Sequence, residues 1–232
     1  MSVAQKKDAM YSTDLSRISL DEFEEMLSSV DLLPGRRMLL EGLADVLRRL
    51  KHKGIGDLAA LRELLKKKKA YAPLSAELSV SCEYLTILNR EVNSYVAKPM
   101  PLARLDVFTA DEIKRLEAQS VKTTEHLYAH SLTAKARSEL SSAADVDRQR
   151  LEQALELADL LRINGVGLVY AEILREMGIR TVADYLAMDS EEILTRYQQT
   201  IARSERTAAK LGLKDIEYCK RFCKKLDCDI RR

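Results

Sequence analysis

Leu160-Leu161-Arg162-Ile163-Asn164-Gly165-Val166-Gly167-Leu168-Val169-Tyr170-Ala171-Glu172-Ile173-Leu174 is the stretch that decides the fold. Aliphatic residues at helical spacing stand on both sides of Asn164-Gly165-Val166-Gly167, so two helices meet at a short turn. A turn that tight needs backbone angles that most residues resist. Gly165 and Gly167 permit them and put no Cβ in the way. Val166 then points inward and pins the turn to the core, and the small Ala171 lets the two helices approach closely.

Outward from this point the chain reads as helix after helix. Ser142 to Ile163 is the longest periodic stretch, with Leu151, Leu155 and Ala158 along one seam. Leu168 to Met177 forms a short helix that Gly178 ends. Thr181-Val182-Ala183-Asp184 and Asp189-Ser190-Glu191-Glu192 start two more, and a basic helix closes the chain around Ile216 to Leu226. Upstream, Ser19-Leu20-Asp21-Glu22 and Thr109-Ala110-Asp111-Glu112 are capping boxes, whose hydroxyl and carboxylate satisfy free N–H groups at a helix start. A long amphipathic helix is expected after Leu33-Pro34-Gly35, with Leu39, Leu40, Leu43, Val46, Leu47 and Leu50 on one side. Asp57 caps a further helix carrying Leu58, Leu61, Leu64 and Leu65, and another runs from Cys82 to Val92.

Three segments repeat one local pattern. Leu50-Lys51-His52-Lys53-Gly54-Ile55-Gly56-Asp57-Leu58 matches Leu174-Arg175-Glu176-Met177-Gly178-Ile179-Arg180-Thr181-Val182. Leu116-Glu117-Ala118-Gln119-Ser120-Val121-Lys122-Thr123-Thr124 is a poorer copy. In each a helix ends, a small residue turns the chain, and an aliphatic residue plugs the next turn. Their irregular spacing argues against a strict solenoid. The expected architecture is all-α: irregular helical modules in two halves joined by a Pro-containing linker. The boundaries are a loose arm over 1–13, a helical domain over 14–96, a linker over 97–104 holding Pro99 and Pro101, and a second helical domain over 105–232.

Composition agrees with this. Of 232 residues, 46% are hydrophobic and only 5% aromatic, with no Trp, so the core must be aliphatic. Net charge is +2, too mild to announce a nucleic-acid binder. The charge is polarised along the chain. Arg36 to Lys69 holds eleven basic against four acidic residues, and Glu139 to Asp159 holds two against six. The four cysteines, the absence of a signal peptide and the absence of an apolar run of about 18 residues point to a cytoplasmic protein with no membrane segment.

The 160–174 stretch, continued by Gly178-Ile179-Arg180-Thr181-Val182-Ala183-Asp184-Tyr185-Leu186, resembles the helix-hairpin-helix superfamily. Residues of about 100 to 226 also look like an uncharacterised bacterial family with a helix-hairpin-helix-like C-terminal domain of unknown function, and the first half matches it loosely. The superfamily resemblance implies a hairpin whose backbone N–H groups, here from Gly165 to Leu168, hold a nucleic-acid phosphate. Free donors and the helix dipole favour an anion there. Such contacts read phosphate rather than bases, so binding would be sequence-independent and salt-sensitive. DNA-binding members usually place a Lys or Arg just after the second Gly. This chain has Leu168, Val169 and Tyr170, an exit that suits a buried hairpin or a protein contact.

Two readings therefore stand. In the first, the chain is a non-enzymatic protein that binds DNA or RNA through Asn164, Gly165, Val166, Gly167, Leu168 and Arg162, assisted by Lys66, Lys67, Lys68 and Lys69. In the second, the hairpins only shape a protein-interaction scaffold. The lysine run also reads as a solvated helix end, and the tail from Lys214 to Arg232 as either a basic face or a solvated amphipathic helix. His126 and His130 lie four apart but lack the third ligand a metal needs. Cys219, Cys223 and Cys228 lack zinc spacing and suit packing. No Ser-His-acid arrangement, phosphate loop or dinucleotide fingerprint occurs, so no cofactor and no enzyme activity are expected.

Overall fold

The computed structural model describes residues 11–204, 210–228 and 230. Among them are thirteen α-helices, four short 3-10 helices and no strand, so the chain is all-α. It divides into two compact units. One is Thr13–Val96, and the other joins Met1–Ser12 with Ala97–Arg232.

In Thr13–Val96, α1 (Leu20–Ser28) starts on the expected box. The Glu22 N–H donates to the Ser19 hydroxyl at 3.2 Å, and the Ser19 N–H donates to the Glu22 carboxylate at 3.0 Å. The long helix expected after Pro34-Gly35 does not form as one piece. A 3-10 helix covers Pro34–Leu40, Gly42 takes the left-handed region at φ +73°, and α2 (Leu43–His52) begins only then. Leu40 consequently leaves the apolar side and is exposed. Helices α3 (Leu58–Leu65), α4 (Tyr71–Leu78) and α5 (Cys82–Ser94) complete this unit around a core of Leu27, Leu39, Leu47, Leu50, Leu61, Leu85 and Leu88, to which Phe23 and Tyr95 add an edge-to-face aromatic pair.

The other unit contains α6 (Ala110–Ala118), α7 (Thr124–His130), α8 (Ala134–Ala144), α9 (Arg148–Leu160), α10 (Leu168–Glu176), α11 (Val182–Ala187), α12 (Ser190–Ala202) and α13 (Leu213–Cys223). The Ser142–Ile163 periodicity spans two helices rather than one, because Asp145 turns left-handed at φ +48° between α8 and α9. Helix α9 lies centrally, packed by α7, α8 and α10. Of the expected arm, residues 1–10 lie outside the described residues. Tyr11 is buried, and its hydroxyl donates to Thr124 Oγ1 at 2.9 Å. Of the linker segment, Leu102 is buried and its N–H donates to the Lys122 carbonyl at 3.0 Å.

One local device builds most of the chain. Helices α2, α4, α6, α8 and α10 all end with a residue in the left-handed region: Gly54, Ser79, Ser120, Asp145 and Gly178, at φ +81°, +56°, +65°, +48° and +85°. The next residue is always aliphatic, and its N–H reaches back to a carbonyl five residues earlier. The five bonds are Ile55 to Leu50, Val80 to Ser75, Val121 to Leu116, Val146 to Ser141 and Ile179 to Leu174, all 2.9–3.1 Å. This satisfies helix-end carbonyls and buries an apolar side chain at the turn. An N-cap follows at once, from Asp57, Ser81, Thr123, Asp147 or Thr181, each accepting a backbone N–H of the next helix. The three sequence repeats share this geometry, and two further copies carry Ser79 and Asp145 in the glycine place.

Candidate functional site

The 161–167 turn carries α9 into α10. The Ile163 N–H donates to the Leu160 carbonyl at 3.1 Å, and the Val166 N–H to the Ile163 carbonyl at 3.0 Å. Gly165 stands at φ +91°, where an L side chain is strained. Gly167 does not: its φ of −92° is ordinary extended backbone, and a Cβ there would meet nothing within 4 Å. The expectation that both glycines serve the backbone angle is thus corrected for Gly167. Val166 is buried, as its position between the glycines implied, and Ala171 is wholly buried where α10 meets α9.

Helix α13 supports the turn from one side. The Asn164 side-chain amide donates to the Tyr218 hydroxyl at 2.9 Å, and the Cys219 thiol lies 3.5 Å from the Asn164 carbonyl. Burial pushes the Cys219 thiol up to about 12, so it is a neutral packing group rather than a nucleophile. The outward edge consists of Gly165, Gly167 and Val169, and Val169 is 50% exposed.

Arg162 is not part of that edge. Only 1% of it is exposed, and its guanidinium is held inside the unit. It pairs with Asp159 at 2.6 Å, donates to the Tyr11 carbonyl at 2.9 Å and to the Asp227 carbonyl at 2.8 Å, and reaches the Tyr128 hydroxyl. Its central carbon lies 4.3 Å from the Tyr128 ring centroid. Asp159 completes the network by accepting the Val182 N–H at 2.7 Å. Burial pushes the Asp159 carboxyl up, and the Arg162 charge and the Val182 amide oppose that push. A charge this deep and this fully engaged cannot meet a phosphate, so Arg162 is removed from the expected contact set. Nothing local could reveal this, because its partners lie up to 151 residues away.

Lys66, Lys67, Lys68 and Lys69 are all exposed, at the end of α3 and in the 3-10 turn after it. Lys66 pairs with Glu63. The run belongs to Thr13–Val96, whereas Asn164 to Leu168 belong to the other unit. Among the described residues no three His, Cys, Asp or Glu side chains gather as metal ligands. The His126 ring accepts the Lys122 N–H at 3.3 Å, and the His130 ring lies 2.8 Å from the His126 carbonyl.

Two clefts that sequence reasoning missed open beside α9. A wide one of about 730 Å³ is lined by Val107, Phe108 and Leu157 and by the charged Arg150, Arg175 and Glu172. A smaller one of about 330 Å³ lies between α8, α9 and the segment before α11. Arg180 lines both. The only legible signal was the four-residue spacing of Arg148, Glu152 and Glu156 on one helix face. The arginines that join them come from other elements.

A family model described as a domain of unknown function (DUF4332) matches residues 107–225. No curated protein and no solved structure matches the chain.

Proposed function

Because this chain belongs to the DUF4332 family, a domain of unknown function, we propose its role from its own geometry: a non-catalytic helical module that binds protein partners, with the glycine hairpin shaping helices rather than gripping phosphate. One observation carries this reading. The single arginine of the hairpin is buried against Asp159, and the outward edge it leaves is glycine backbone and the half-exposed Val169. Charge balance supports it. Thr13–Val96 holds thirteen basic and thirteen acidic residues, and residues 97–232 hold twenty-three and twenty-two. Sequence-independent nucleic-acid binding draws its free energy from a basic surface that releases counterions, and both spans are close to charge balance, with the basic excess concentrated in Arg36–Lys69.

The helix-hairpin-helix classification belongs to the same proposal, supported by the α9–α10 turn with Gly165 at positive φ and Val166 buried. So does a cytoplasmic location, supported by the low cysteine count, four in 232 residues. No helix among the described residues is long and apolar enough to cross a membrane.

The test is affinity capture from cell extract with the tagged full chain, before and after nuclease treatment, beside a Val169→Lys variant. The same partner proteins should remain after nuclease and be lost from the variant. If every partner disappears with the nucleic acid, or if Val169→Lys captures them unchanged, the reading fails. The nucleic-acid reading keeps one specific observation in its favour, the exposed Lys66–Lys69 run. It requires DNA or RNA affinity that falls steeply across a salt series, and a flat response removes it.

A further inference from the structure

The smaller cleft beside α9 has the chemistry of an anion site. Arg137 enters it from α8, Arg148 from the first turn of α9, and Arg180 from the segment before α11. Arg137 is nearly buried, with 7% of its side chain exposed, and its guanidinium donates to the Ser131 carbonyl at 3.0 Å. That fixes its place at the back of the cleft. Arg148 and Arg180 are 48% and 63% exposed and stand at the opening. Leu155, Ala134 and Ile230 supply an apolar wall.

The acids present are shared. Glu152 accepts from Arg148 at 3.0 Å and lies 3.8 Å from Arg137. Glu156 accepts from Arg175 at 2.8 Å and lies 3.9 Å from Arg180. Among the described residues, three guanidiniums and two carboxylates, Glu152 and Glu156, therefore line the cleft, an excess of one positive charge. The two carboxylates offset only part of the charge of guanidiniums converging from three elements, and the planar fork of N–H donors of each matches the oxygens of a phosphate or carboxylate anion. A phosphate group carries about −1.5 to −2 charge near neutral pH and three acceptor oxygens, so it can be held by donors from more than one side.

We propose that the Arg137–Arg148–Arg180 cleft binds a phosphate-class anion, as free phosphate or as the monoester of a small metabolite whose short organic part rests on Leu155 and Ile230. A volume of about 330 Å³ suits a small molecule. The inference is independent of the protein-partner reading and survives its failure.

The test titrates the full chain with inorganic phosphate and, separately, with glycerol phosphate at constant ionic strength, followed by calorimetry and amide shifts. Saturable binding is expected, at least tenfold weaker in Arg148→Gln and in Arg180→Gln. Lys135→Gln, an exposed change on α8 outside the cleft, should bind as the parent does. Preference for the ester identifies a phosphorylated metabolite, and equal or better binding of inorganic phosphate identifies the free ion. Absence of saturable binding overturns the proposal, as does binding that the two arginine variants leave unchanged or that Lys135→Gln weakens equally. Arg148 and Arg180 are chosen because they are exposed, and an unaltered melting temperature shows that a loss is not unfolding.

Discussion

Arg162 and Asp159 form a buried pair whose every visible partner is internal. Removing one member leaves the other charged and desolvated, which costs about 3–5 kcal/mol in comparable pairs. Arg162→Met should lower unfolding free energy by about that amount in urea titration, and a loss below about 1 kcal/mol would contradict the assignment. The two hairpin glycines separate on the same physical ground. Gly165→Ala forces a side chain into the left-handed region at φ +91° and should cost about 1–2 kcal/mol. Gly167→Ala meets open space at an ordinary φ and should be neutral, or slightly stabilising through the unfolded chain. Equal losses in the two variants, read from melting curves, would refute this division. The sequence made the two glycines look alike, because it gives residue type and not φ.

At the scale of the element, the recurring helix end is the unit of construction. Ser120 holds the left-handed place that Gly54 and Gly178 hold elsewhere. Ser120→Gly relieves the Cβ penalty and should raise stability by about 1 kcal/mol, visible as a higher melting temperature. The start of α6 adds a pH dependence. The Thr109 N–H holds the Glu112 carboxylate below its ordinary range, aided by the Thr109 hydroxyl and Arg150. A carboxylate with a depressed folded-state value stabilises above its unfolded value, about 4.3, and loses that contribution as pH falls through the lower folded value. Glu112→Gln should therefore flatten the acid limb of a stability-versus-pH curve and change little of its shape above pH 6. An unchanged acid limb would show that the capping box is not titrating. These helix starts and ends were legible because capping is local chemistry within four residues. The breaks at Gly42 and Asp145 were not. A period of 3.6 runs on through a single left-handed residue, and nothing in the apolar pattern marks where the chain turns.

For the molecule as a whole, the balance of thirteen and thirteen, and of twenty-three and twenty-two, predicts weak interaction with polyanions at moderate salt. Changing Lys66, Lys67, Lys68 and Lys69 together to Gln should leave protein-partner capture intact. Loss of capture would show that the exposed run is an interface. What the sequence determined by itself is everything written in neighbouring residues. It determined an all-helical chain, the capping boxes at Ser19 and Thr109, the turn at Asn164 to Gly167, and a repeat visible at Gly54, Ser120 and Gly178. Hydrogen bonds between positions a few residues apart leave their mark in residue type and period. The tertiary structure alone decided which charges face water. Arg162 went inward because Tyr11, Tyr128 and Asp227 surround it from distant parts of the chain. Arg137, Arg148 and Arg180 came together because α8, α9 and the segment before α11 meet at one cleft. An arginine reads the same at both places in one dimension. Burial and the arrival of partners from far along the chain make Arg162 a fixed structural pin and leave Arg148 and Arg180 exposed at the mouth of a cleft.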